Sequence, residues 1–157
     1  MVRPLVDPDP VASLVHDHSS INRQLLELGR HMEALRAETA QASPPIIAVL
    51  QQLREELFLH FAREEEGLFP FVASEFPDFS WQVQSMAAAH DGICGGLSRL
   101  LHMLITNSDS STILAVFDRF TKAYGDHSRA EAQLLASIDA AVTPEQRAAL
   151  AALVDGL

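Results

Sequence analysis

The sequence predicts an all-α protein, an up-down-up-down antiparallel four-helix bundle with a short C-terminal fifth helix. Three observations predict it. Apolar residues recur every three and four positions through four long segments, the stripe of a helix that buries one face. The segments are joined by short stretches rich in Pro, Ser, Asn and Asp, and short connections make neighbouring helices antiparallel. The hydrophobic fraction of 48% is carried mostly by Leu and Ala, with one Trp and one Tyr, which favours helix over sheet.

Residues 1–9, with Pro4, Pro8 and Asp9, read as an irregular arm, and residues 10–157 as one bundle domain. Asp9-Pro10 supplies an N-cap followed by a rigid first helical position. From there Val11, Leu14, His18, Ile21, Leu25, Leu28, Met32 and Leu35 form the seam of a first helix ending near Thr39. Ser43-Pro44-Pro45 opens a second helix with the seam Ile46, Leu50, Leu53, Leu57, His60, Glu64 and Leu68. Phe69 to Phe79 carries Pro70 and Pro77, so it reads as a frayed helix end and a packed connection. Asp78 or Ser80 is expected to cap the third helix, whose seam is Val83, Met86, His90, Ile93, Leu97, Leu100 and Leu104. The polar run Asn107 to Ser111 is a loop. The fourth helix shows Ile113, Phe117, Phe120, Tyr124, His127, Glu131, Leu134 and Ile138. Thr143-Pro144-Glu145-Gln146 has capping-box form and starts a short helix through Leu153, apolar enough to dock on its own bundle or on another protein.

A chain of 157 residues suits one domain that buries about 70% of its unfolded surface. Eleven basic against 21 acidic residues give a net charge of -10, which argues against nucleic acid and anionic membranes as partners. Cys94 is the only cysteine, so no internal disulfide forms and a reducing compartment is the simpler assumption. Neither a signal-peptide core nor an apolar run of membrane-spanning length is present, and the expectation is a soluble cytoplasmic protein.

The four seams share one irregularity. Each carries a histidine, and two of these are followed four residues later by glutamate: His18, His60 with Glu64, His90, and His127 with Glu131. At about 1.5 Å of rise per residue, the six side chains fall in one layer of an antiparallel bundle. A lone seam histidine is ordinarily a hydrogen-bonded core residue, but a buried carboxylate without a partner costs several kcal/mol or takes up a proton. One histidine per helix, with both seam glutamates at the same spacing, points to a metal site. Four imidazoles and two carboxylates suit iron, manganese or zinc rather than calcium or copper(I). Two carboxylate bridges and a solvent-derived oxo or hydroxo bridge could hold two metals and leave a position open for a small diatomic. His16, His31 and His102 lie off the seams and read as ordinary surface or rim histidines.

DHSSI at Asp17 to Ile21, HFAREEEGLFP at His60 to Pro70, AHDGICGGL at Ala89 to Leu97 and HSRAE at His127 to Glu131 together resemble the hemerythrin-like, or HHE cation-binding, domains. The resemblance covers about residues 11 to 141. It implies an up-down bundle around a non-heme, usually di-iron, centre, with His18, His60, Glu64, His90, His127 and Glu131 as ligands. Oxygen-carrying hemerythrins have HxxxH in the third helix and an aspartate five residues after the histidine of the fourth. Here Cys94 stands at +4 from His90 and Glu131 at +4 from His127, so the likeness is closer to bacterial HHE domains and the metal domain of iron-centre repair proteins.

The leading expectation is therefore two iron ions, ahead of zinc or manganese, with O2 or NO as the small ligand of a sensor, store or scavenger. Redox turnover at the same centre, such as NO reduction, peroxide removal or iron-centre repair, is the enzymatic alternative. A zinc-bound or metal-free structural bundle is the third. No catalytic triad, phosphate loop or nucleotide fingerprint is present. Cys94 reads as a small buried hydrophobe, with a metal-ligating or oxidisable thiolate as its alternative. Gly92, Gly95 and Gly96 read as close helix packing, with a gas-access gap as theirs. Glu65 and Glu66 read as a solvated face, either able to replace Glu64 if the helical phase is off by one.

Overall fold

The computed structural model describes residues 9–37 and 44–155. The arm up to residue 8, the expected helix end near Thr39 and the opening Ser43 lie outside the described residues. Helix α1 spans Pro10–Arg36; the Asp9 carboxylate accepts from the Val11 N–H at 3.1 Å, as its capping position requires. Helix α2 spans Pro44–Arg63 and runs without a break into a π-helical turn, Glu64–Leu68, and a seven-residue helix α3, Phe69–Glu75. A 3-10 turn at Pro77–Phe79 leads into α4, Ser80–Ile105. Helix α5 is Ser110–Ala141 and α6 is Pro144–Asp155.

Three local expectations are corrected. The stretch after Leu68 is helical rather than frayed, because the chain continues through the π turn into α3 with Pro70 accommodated there. Pro70 also explains the π turn. A proline ring crowds the carbonyl four residues back, here Glu66, and the Phe69 N–H reaches Glu64 O, one residue further than in an α-helix. Neither Asp78 nor Ser80 caps α4, since the preceding 3-10 turn feeds the chain into the helix and no side-chain cap bond forms. The polar loop is shorter than expected: Asn107 takes a positive φ of 52° and Asp109 caps α5 through the Thr112 N–H.

The long helices pack in cyclic order, α1 on α2, α2 on α4, α4 on α5, and α5 back on α1. That is the expected bundle. Its core is divided in two. One apolar cluster includes Ile21, Leu57, Phe61, Ile93, Leu97, Phe120 and Tyr124. The other includes Leu14, Leu68, Val72, Met86, Leu134 and Ile138 and is closed by Leu150 and Val154 of α6. Residues 18, 90, 127 and 131 fall between the two clusters along their helices and 64 between Phe61 and Leu68, with His60 beside Phe61 at the border, so the seam polar residues form one layer inside an apolar column. Helix α6 docks on its own bundle. No helix among the described residues is long and apolar enough to cross a membrane.

Candidate metal centre

Each long helix contributes to the layer from the face its apolar periodicity turns inward. Glu64 and Glu131 are fully buried, at 0% exposure, and His60, His90 and His127 are buried with them. His18 is slightly more open, its side chain 12% exposed.

The imidazoles meet through their Nε2 atoms in two pairs: His18 and His60 at 3.0 Å, His90 and His127 at 3.3 Å. Nitrogens bound at right angles to one ion, each about 2.1 Å from it, lie about 3.0 Å apart, so this spacing fits two ligands of a common cation. Glu64 divides itself between the pairs. Its Oε1 is 2.8 Å from His60 Nε2 and its Oε2 is 2.9 Å from His90 Nε2. Glu131 Oε2 lies 2.9 Å from His18 Nε2 and 3.5 Å from His127 Nε2, while its Oε1 is 3.4 Å from His60 Nε2.

Although ring nitrogens approach this closely, no directed hydrogen bond reaches any oxygen of Glu64 or Glu131. Buried carboxylates otherwise collect donors. Four orphaned oxygens facing four converging nitrogens suit a cation placed between them. The side chains able to hold one form two groups sharing Glu64: His18, His60, Glu64 and Glu131, and Glu64, His90 and His127.

A family model described as the Hemerythrin HHE cation binding domain matches residues 9–138. The chain belongs to the hemerythrin HHE cation-binding family. Searches of curated proteins and of solved structures return no match. The HHE domain accounts for the fold and for cation binding, and the six residues expected as ligands are those the bundle brings together. His16 and His102 are exposed, His31 is half-buried, and none of the three joins a metal-competent group among the described residues.

Side chains around the layer fix the ring orientations. Asp17 Oδ2 lies 3.0 Å from His60 Nδ1 and also accepts from Arg63, whose Nη2 donates to Ser13 Oγ at 2.6 Å. Glu65 Oε1 sits 2.6 Å from His90 Nδ1. Such carboxylate partners hold the outer ring nitrogen as a donor and leave Nε2 free to ligate. Neither Asp17 nor Arg63 was signalled by the sequence pattern, and Glu65, expected to be merely solvated, is half-exposed yet bonded to His90. Phe61 stacks on His90 at 3.7 Å between ring centroids, and Phe69 lies on the same imidazole at 5.5 Å.

The same contacts set the protonation of the metal-free cluster. Burial opposes a charge on His60, but its hydrogen bond to Asp17 and the nearby Glu131 and Glu64 outweigh it and push the pKa up to about 11. His90 is raised as well, with burial again opposing and Glu64 and Glu65 prevailing. Burial, reinforced by Glu131, pushes the Glu64 carboxyl upward. Glu131 goes the other way: burial resists its ionisation, but Glu64, His127, His18 and His60 hold it well below the usual range. Without a cation the site stores protons, and a cation must displace them.

Cys94 belongs to neither metal group. It packs against the larger apolar cluster, and burial, with Glu65 and Asp91 nearby, pushes its thiol up to about 11. The reading of the α4 glycines as close-packing positions is corrected. A Cβ at Gly92 or Gly95 would meet nothing within 4 Å, and one at Gly96 would make an ordinary 3.8 Å contact with Phe120. Gly92 instead lines a groove of about 410 Å³ between α4 and α5, lined also by Ala89, Ala123, Ala130 and the buried His127.

Proposed function

We propose that this HHE domain holds two iron ions and binds O2 or NO reversibly, as a sensor, store or scavenger in the cytoplasm. The observation that carries the reading is the division of Glu64, one carboxylate oxygen on each histidine pair. A single tetrahedral zinc takes four ligands and would leave donors of this buried set unused. His18, His60 and Glu131 would serve one ion, His90 and His127 the other, and Glu64 both.

The two halves differ. Four residues converge on the His18 side and three on the His90 side, so the small ligand belongs on the side poorer in protein donors. When bound, the iron pair supplies electrons and a coordination position for a diatomic. The chain supplies dryness and access. Phe61 and Phe69 shield His90 from water, and the groove that His127 lines offers an uncharged gas a short apolar approach. The single cysteine and the net charge of -10 agree with a reducing compartment and with no nucleic-acid partner.

Spectra under argon, air and NO test the reading. Iron-loaded protein should show visible or near-ultraviolet bands that change with the gas and return when it is removed. A spectrum blind to both gases would overturn it. Steady consumption of NO or peroxide in the presence of a reductant would replace reversible binding with redox turnover.

A further inference from the structure

We propose that α6 is a strap that locks the π-helical turn of the metal centre, so that its docking and metal retention strengthen each other. The proposal rests on the metal reading above. Helix α6, Pro144–Asp155, lies beyond the residues matched by the family model, which end at 138.

Two contacts join the strap to the site. The first is backbone packing. Gly67 sits in the π turn that carries Glu64 and Glu65, and a Cβ at Gly67 would meet Leu153 O and Val154 Cγ2, each at 3.2 Å. A side chain at this position would press on α6 and require it to give by a few tenths of an ångström, and Leu150 and Val154 bury completely beside Leu68 and Phe69. The second is a chain of charges. Asp155 Oδ1 is 3.6 Å from Arg63 Nη2, Arg63 donates to Asp17, and Asp17 holds His60 Nδ1. The far end of α6 is pinned separately, with Arg147 bonding Asp9 and Asp139 at 2.8 Å each and Gln146 N donating to Thr143 Oγ1 at 3.1 Å.

A helix of 12 residues is marginal alone in water, so α6 depends on its seat. The seat is the segment that places Glu64 in the metal layer and Glu65 on the outer nitrogen of His90. Linkage makes the effect reciprocal: the factor by which docking raises metal affinity is the factor by which metal favours docking.

The test uses the full chain, with Asp155→Asn, Gly67→Val and Leu150→Ala compared with the parent. Leu150→Ala loosens the seat from the α6 side alone and leaves the π turn untouched. Ferrous iron affinity is measured under argon by competition with a chelator, and hydrogen exchange of residues 144–155 is followed with and without iron. Each variant should bind iron at least about fivefold more weakly, and α6 in the parent should exchange at least about fivefold more slowly when iron is bound. Equal affinities across the four proteins, or α6 exchange indifferent to iron, would overturn the strap alone. A parent that takes up no iron would overturn the metal reading and the strap with it.

Discussion

Glu64→Gln should stabilise the metal-free protein while weakening its response to metal. Glu64 has 0% exposure and neither of its oxygens accepts a directed hydrogen bond. Burial, then Glu131, pushes its pKa upward. An acid whose folded pKa lies above its unfolded value adds stability only below the unfolded value, and that stability is lost as pH rises through the folded pKa. At neutral pH the metal-free fold therefore bears the strain of this carboxyl, and glutamine keeps the shape without the charge. An unpaired buried polar group costs about 1–3 kcal/mol, and relieving a comparable amount raises the melting temperature by about 2–12 °C in a domain of this size. The assay is thermal unfolding followed by circular dichroism, with chelator and with ferrous iron under argon. With iron the order should reverse, because the substitution removes a donor from both histidine pairs. A metal-free variant melting below the parent would refute the reasoning, since the attraction of His60 and His90 for Glu64 would then outweigh the cost of its burial.

Further outcomes follow from the layer and its surroundings. Asp17→Asn should lower iron affinity about 10- to 100-fold in chelator competition, by releasing the outer nitrogen of His60. The metal-free protein should melt at progressively lower temperature from pH 7 to 10. His60, raised to about 11, stabilises the fold fully below its unfolded pKa and loses that contribution as pH climbs toward the folded value. Iron affinity should rise over the same range, because binding displaces protons. Gly92→Leu, placed where an added Cβ meets nothing, should fill the α4–α5 groove and slow NO association in stopped-flow mixing with no change in iron content.

The six residues of the layer were legible because helical phase alone decides which side chains share the interior, and polar residues on an apolar seam stand out. What supports them was not. Asp17 stands beside His18 in the chain but bonds His60 of another helix, and Glu65 reaches His90 across a helix interface. Such pairings depend on how helices are rotated against one another, which a periodicity does not encode. The π turn stayed hidden because His60 and Glu64 keep the four-residue spacing of an α-helix up to its start. Gly67 carries no signal in the sequence pattern, although among the described glycines it alone faces a crossing backbone, that of α6.

The most direct test is the number of metal ions held by the parent and by Glu64→Gln, counted by native mass spectrometry after loading with ferrous iron under argon. Two ions are expected on each parent chain and at most one on the variant, since Glu64 belongs to both metal-competent groups and would be the residue shared between the ions. A parent that saturates with one ion, or a variant that still carries two, would contradict it.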